Sequence, residues 1–148
     1  AETTSIPKPV RTEKRFFIAD INTADTSAFI ALPGIGSKLA ARIMAFREKL
    51  GGFYSVSQLH EVYGIADTVF LRIEPFLQLK DASVRKIRIN EVGFDTLKMH
   101  PYFRYELAKA VIAYRNAHGP FRTPESLKLV LLITEDVFRK IVPYISCD

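Results

Sequence analysis

The stretch Leu32-Pro33-Gly34-Ile35-Gly36-Ser37-Lys38-Leu39-Ala40 decides how this chain is read. Two glycines flank one apolar residue between two helix-forming segments. Lacking β-carbons, the glycines admit positive φ angles and let the backbone come close to a ligand. Ile35 is expected to plug this hairpin into a core, leaving the amides of Gly34, Gly36 and their neighbours facing outward. The first amides of a helix have no intrahelical acceptor, so they form a natural anion site. Ser37 adds a hydroxyl there and Lys38 a charge. Along the following helix, Lys38, Arg42 and Lys49 fall at spacings of four and seven and make a basic ridge.

Helical signals surround the hairpin. Asn22 or Thr23 is expected to cap a first short helix running to about Leu32. From Ser37 to about Leu50, the apolar residues Leu39, Ile43, Phe46 and Leu50 recur at three and four positions, until Gly51 and Gly52 stop the helix. Ser55 caps a third helix to about Tyr63, and Asp67 opens a fourth that ends before Pro75. Phe29, Phe46, Phe53, Phe70 and Phe76 follow these stripes and are expected in the core.

Residues 20–77 align with residues 88–145 at a constant offset of 68, with 16 identities in 58 pairs. Among them are Asn22/Asn90, Pro33/Pro101, Arg47/Arg115, Phe53/Phe121 and Pro75/Pro143, mostly positions that set packing or chain reversal. Arg47 and Arg115 hold equivalent places although only one copy keeps its glycines, so both are expected to bond backbone carbonyls. The predicted fold is all-α: two tandem domains, each of four short helices paired as two helix-turn-helix hairpins. Their bounds are a tail at 1–19, a first domain at 20–77, a linker at 78–87 and a second domain at 88–148. Residues 16–18 are expected to be the first ordered part of the tail.

The chain has 148 residues, 48% of them hydrophobic and 25% charged, enough to bury a core. One cysteine, Cys147, excludes an internal disulfide and a thiolate zinc site, and the longest apolar run, from Leu129 to Ile133, is too short for a bilayer. The net charge of +5 favours anionic partners. It is uneven, since residues 20–77 carry 5 basic and 6 acidic side chains and residues 88–145 carry 9 and 6. His60, His100 and His118 are scattered and read as surface or cap histidines. With no catalytic sequence pattern, the expectation is a protein that is not an enzyme, with no metal site and no small-molecule substrate.

The hairpin, with Asp20-Ile21-Asn22-Thr23-Ala24 before it and Ala45-Phe46-Arg47, Gly51-Gly52-Phe53, Leu59, Val62 and Gly64-Ile65 after it, resembles the helix-hairpin-helix family, in particular its ComEA-like type. The resemblance extends to Ile89-Asn90, Tyr114-Arg115, Gly119-Pro120-Phe121 and Leu127 of the second copy. It implies duplex DNA binding without sequence preference, through hairpin amides to phosphates, with a monovalent cation sometimes bound at the first hairpin. The residues implied are Pro33, Gly34, Ile35, Gly36, Ser37, Lys38, Arg42 and Lys49, with Gly64, Ile65 and Ala66 as a weaker second hairpin.

Carried into biology, the resemblance implies competence and DNA uptake. The chain opens with Ala1 and reads as a processed or truncated form, so an anchor on a missing upstream segment would place it outside the cytoplasmic membrane; a cytoplasmic location is the alternative. The second copy substitutes His100-Pro101-Tyr102-Phe103-Arg104 and Leu131-Leu132-Ile133-Thr134 for glycine hairpins. The alternative function is therefore a protein-interaction module that has lost DNA binding, with Tyr102 and Phe103 as an exposed apolar patch in the second domain.

Overall fold

The computed structural model describes residues 18–148 of the chain; the expected order at Phe16 and Phe17 and the rest of the tail lies outside them. The elements run β1 (Ala19–Asp20), α1 (Thr26–Ile30), α2 (Ser37–Leu50), a 3-10 helix (Val56–Glu61), α3 (Asp67–Ile73), a 3-10 turn (Glu74–Phe76) and β2 (Leu77–Gln78). The plan then repeats as β3 (Ile87–Arg88), α4 (Phe94–Leu97), α5 (Arg104–His118), a 3-10 helix (Pro124–Leu129), α6 (Glu135–Ile141), a 3-10 turn (Val142–Tyr144) and β4 (Ile145–Ser146). Helices carry the fold, and the expected all-α class stands.

Four details differ from the sequence reading. The cap of α1 is Asp25, whose side chain accepts from the Ala28 amide at 2.9 Å. The third helix of each copy is 3-10 rather than α. Helix α5 starts at Arg104, although the second copy's longest helix is expected from Pro101 to about His118. Finally, each copy closes on a two-residue parallel ladder, Ala19 opposite Leu77 and Ile87 opposite Ile145, which is too short to leave a period-2 pattern in the sequence.

The chain forms two compact units, one of residues 18–47 with Phe53–Ser83 and one of Glu48–Gly52 with Val84–Asp148. Phe29, Ile43, Phe53, Leu59 and Ile73 fill the first and are fully buried; Phe46 and Phe76 are half-buried. Ile89, Leu97, Val111, Leu127 and Ile141 fill the second.

Two polar residues per copy hold the backbone in place. Arg47 Nη1 donates to the carbonyls of Ile21 and Ala24 at 3.0 and 2.8 Å, and Arg115 Nη1 donates to Ile89 and Val92 at 2.9 and 2.8 Å. This is the structural role expected for the pair. Asn22, expected as a candidate helix cap, instead ties the start of the first copy to Phe53 just after the glycine stop, and Asn90 does the same to Phe121 in the second.

Candidate nucleic-acid interface

Each unit carries two hairpins, and all four bury one apolar residue at the tip: Ile35 and Ile65 in the first unit, Phe103 and Ile133 in the second. Around that plug the first two hairpins have one backbone pattern. The Ile35 amide donates to Leu32 and the Ile65 amide to Val62, both at 3.2 Å, and the following helices start with Ala40 to Gly36 and Phe70 to Ala66, both at 2.9 Å. Gly34 and Gly64 both have positive φ, +86° and +95°.

The backbone of the second hairpin thus matches that of the first despite its altered sequence. Its altered position, Ala66, corresponds to Gly36, where a β-carbon would enter open space. The glycine that the turn requires is the one before the plug, and both hairpins keep it. A β-carbon at Gly34 would pack on Val69, while one at Gly64 would collide with the Arg42 guanidinium and Leu39. What distinguishes the hairpins is the helix that follows. Helix α2 has 14 residues, whereas α3 has 7 and begins with Asp67, which pairs with His60 at 2.5 Å.

At the first hairpin, Gly34, Gly36, Ser37 and Lys38 are all exposed, Pro33 is half-buried and Ile35 faces the core. The exposed amides at the start of α2 sit at the positive end of the helix dipole. The basic ridge is not uniform. Lys38 lies in the first turn, and Lys49, eleven residues on, is about 16 Å farther along the axis. Between them, Arg42 lies over the Tyr63 ring at 4.9 Å and donates to the Tyr63 carbonyl at 3.3 Å. Its guanidinium therefore braces the second hairpin. Sequence reasoning missed Arg72, whose Nη1 stands 3.6 Å from where a Gly34 β-carbon would be; its only signal was the match with Lys140 in the repeat.

The second unit's hairpins differ in backbone as well as side chain. Tyr102 replaces Gly34, and the positive φ moves to Arg104, at +59°. Leu132 replaces Gly64, and no positive φ occurs there. Lys38, Arg42 and Lys49 correspond to Glu106, Ala110 and Ala117, so the ridge is absent. The expected Tyr102 and Phe103 patch is corrected: Phe103 is buried and Tyr102 half-buried under the Lys140 ammonium, 4.8 Å from its ring. The large apolar residues exposed in this unit are Met99, Tyr105, Leu129, Leu131 and Leu132, and Leu131 is 97% accessible.

His100 is also not a surface residue. It is buried within the second unit, where its Nε2 bonds the Leu50 carbonyl at 3.0 Å and its Nδ1 accepts from the Tyr102 amide at 3.1 Å. Those partners place the proton on Nε2. Burial pushes the imidazole down from 6.5 to about 4; the bond to Leu50 opposes this and the charge of Arg85 adds to it.

Among curated proteins, the chain is similar to endonuclease/exonuclease/phosphatase family domain-containing protein 1 of Danio rerio, at 27% identity over 82% of this chain and 26% of the relative. The proteins of that name from Mus musculus and Homo sapiens are 26% and 25% identical, each over 73% of this chain and 24% of the relative. The chain thus spans about a quarter of the length of the curated relatives it matches. The name those relatives carry overturns the expectation of a protein that is not an enzyme. No solved structure matches it. The family model described as the helix-hairpin-helix motif matches twice, at residues 18–78 and 82–146, and with its paired hairpins in both copies the chain belongs to the helix-hairpin-helix family.

Proposed function

We propose that the chain binds duplex DNA without sequence preference, through phosphate contacts made chiefly by the first unit. The observation that carries this reading is the first hairpin: Gly34 at positive φ, a buried Ile35, and the exposed residues Gly36, Ser37 and Lys38 at the start of a 14-residue helix. Backbone amides read phosphate oxygens and carry no base information, so affinity depends on salt rather than on sequence. Because the relatives' name carries an endonuclease/exonuclease/phosphatase family domain, the chain is read as the part that holds DNA for phosphoester chemistry. The ComEA-like type and a role in DNA uptake belong to the same proposal, supported by the order of Ile21-Asn22, the glycine hairpin and Gly51-Gly52-Phe53.

The test is fluorescence anisotropy of a labelled duplex of random sequence, titrated with the full chain at several salt concentrations. Affinity falling with log salt at a slope for roughly three to six neutralised phosphates is the expected result. Absence of saturable binding at low salt overturns it. A second reading, protein contact by the second unit, is favoured by Leu129, Leu131 and Leu132 standing exposed on a hairpin that has lost its glycine.

A further inference from the structure

We propose that Arg72, in the last turn of α3, binds the phosphate held at the first hairpin, so that one contact is assembled from both halves of the first unit. This deepens the duplex-binding reading and rests on it.

The argument starts from Gly34. A side chain there would meet Val69 Cγ1 at 3.4 Å and Arg72 Nη1 at 3.6 Å. The bare backbone of the hairpin tip is therefore flanked by an apolar floor and a guanidinium from the helix that follows the other hairpin. Arg72 is exposed, and among the described residues it takes part in no ion pair. The other arginines of residues 20–77 are occupied. Arg47 bonds the Ile21 and Ala24 carbonyls, and Arg42 bonds Tyr63 and lies on its ring. Lys49 is at the far end of α2. Lys38 and Arg72 are left as the cations beside the hairpin. A guanidinium adds a planar fork that matches two phosphate oxygens, which an ammonium does not.

The second copy supports this by contrast. Lys140 occupies the place of Arg72 and also lies against its hairpin, but the Tyr102 ring stands under it at 4.8 Å, where Gly34 presents bare backbone to Arg72. The cation is placed in both copies, and it stands beside bare backbone in one.

Anisotropy of the labelled duplex with the full-length Arg72→Gln, Arg72→Lys and Lys140→Gln variants tests the assignment. Arg72→Gln is expected to weaken binding about tenfold and lower the salt slope by about one phosphate, with its thermal midpoint unchanged. Arg72→Lys keeps the slope and recovers part of the affinity, and Lys140→Gln binds as wild type. Wild-type affinity and slope in Arg72→Gln, against a wild-type chain that binds, overturns the role of Arg72 while leaving duplex binding in place. A wild-type chain that does not bind overturns both.

Discussion

Asn22 holds Phe53 at both of its backbone polar groups, accepting from the Phe53 amide at 2.7 Å and donating to its carbonyl at 2.8 Å. Asn90 does the same to Phe121 at the same two distances. One side-chain amide thus satisfies the backbone where the chain leaves its glycine stop. Nδ2 of each also reaches the end of its own copy, at Asp81 or Cys147. Replacing Asn22 by Ala leaves a half-buried donor and acceptor unpaired. The variant should lose about 2 to 3 kcal/mol of stability in urea denaturation, and Asn90→Ala a similar amount. A loss under 0.5 kcal/mol in both would show that water replaces the bonds.

Arg47→Lys should destabilise the chain by about 1 to 2 kcal/mol, because an ammonium cannot reproduce the guanidinium geometry that bonds both Ile21 and Ala24. Duplex affinity should be unchanged, since the guanidinium is taken up by carbonyls. A fall in affinity without a fall in stability would make Arg47 a DNA contact instead.

The two glycines of a hairpin should behave oppositely. Gly64→Ala forces a β-carbon against Arg42 and Leu39 at φ +95° and should cost about 1 to 3 kcal/mol in thermal denaturation. Gly36→Ala meets open space and should change stability by under about 0.5 kcal/mol. Gly36→Glu should fold equally well and lose most duplex binding, through added negative charge at the amides. Undiminished binding by that folded variant would remove the first hairpin from the interface.

Acid should loosen the chain through His100. Its folded pKa, about 4, lies below the 6.5 of the exposed group, so between these values the unfolded chain binds the extra proton. The stability is present above pH 6.5 and is lost as the pH falls toward 4, on the order of 3 kcal/mol in all. Comparing urea midpoints of wild type and His100→Gln at pH 7.5, 5.5 and 4.5 isolates the effect. Equal pH slopes in the two proteins would show that another group is responsible.

The repeat, the helical class and the glycine hairpin were legible because they rest on local chemistry: apolar periodicity, glycine where φ turns positive, and paired identities 68 residues apart. Arg47 and Arg115 were legible for a related reason, since an arginine kept in a copy without glycines needs a purpose other than the hairpin. The rest depended on residues distant in the chain. Whether Gly34 or Gly36 carries the turn, which arginine braces a hairpin and which faces solvent, and that His100 is buried are settled by three-dimensional neighbours. Arg42 reaches Tyr63 21 residues on, and Arg72 meets a hairpin 38 positions earlier in the sequence. Composition and periodicity record which residues prefer to be buried or to turn. They do not record which side chains meet once the helices pack, and at the first hairpin that meeting decides which cation stands beside Gly34.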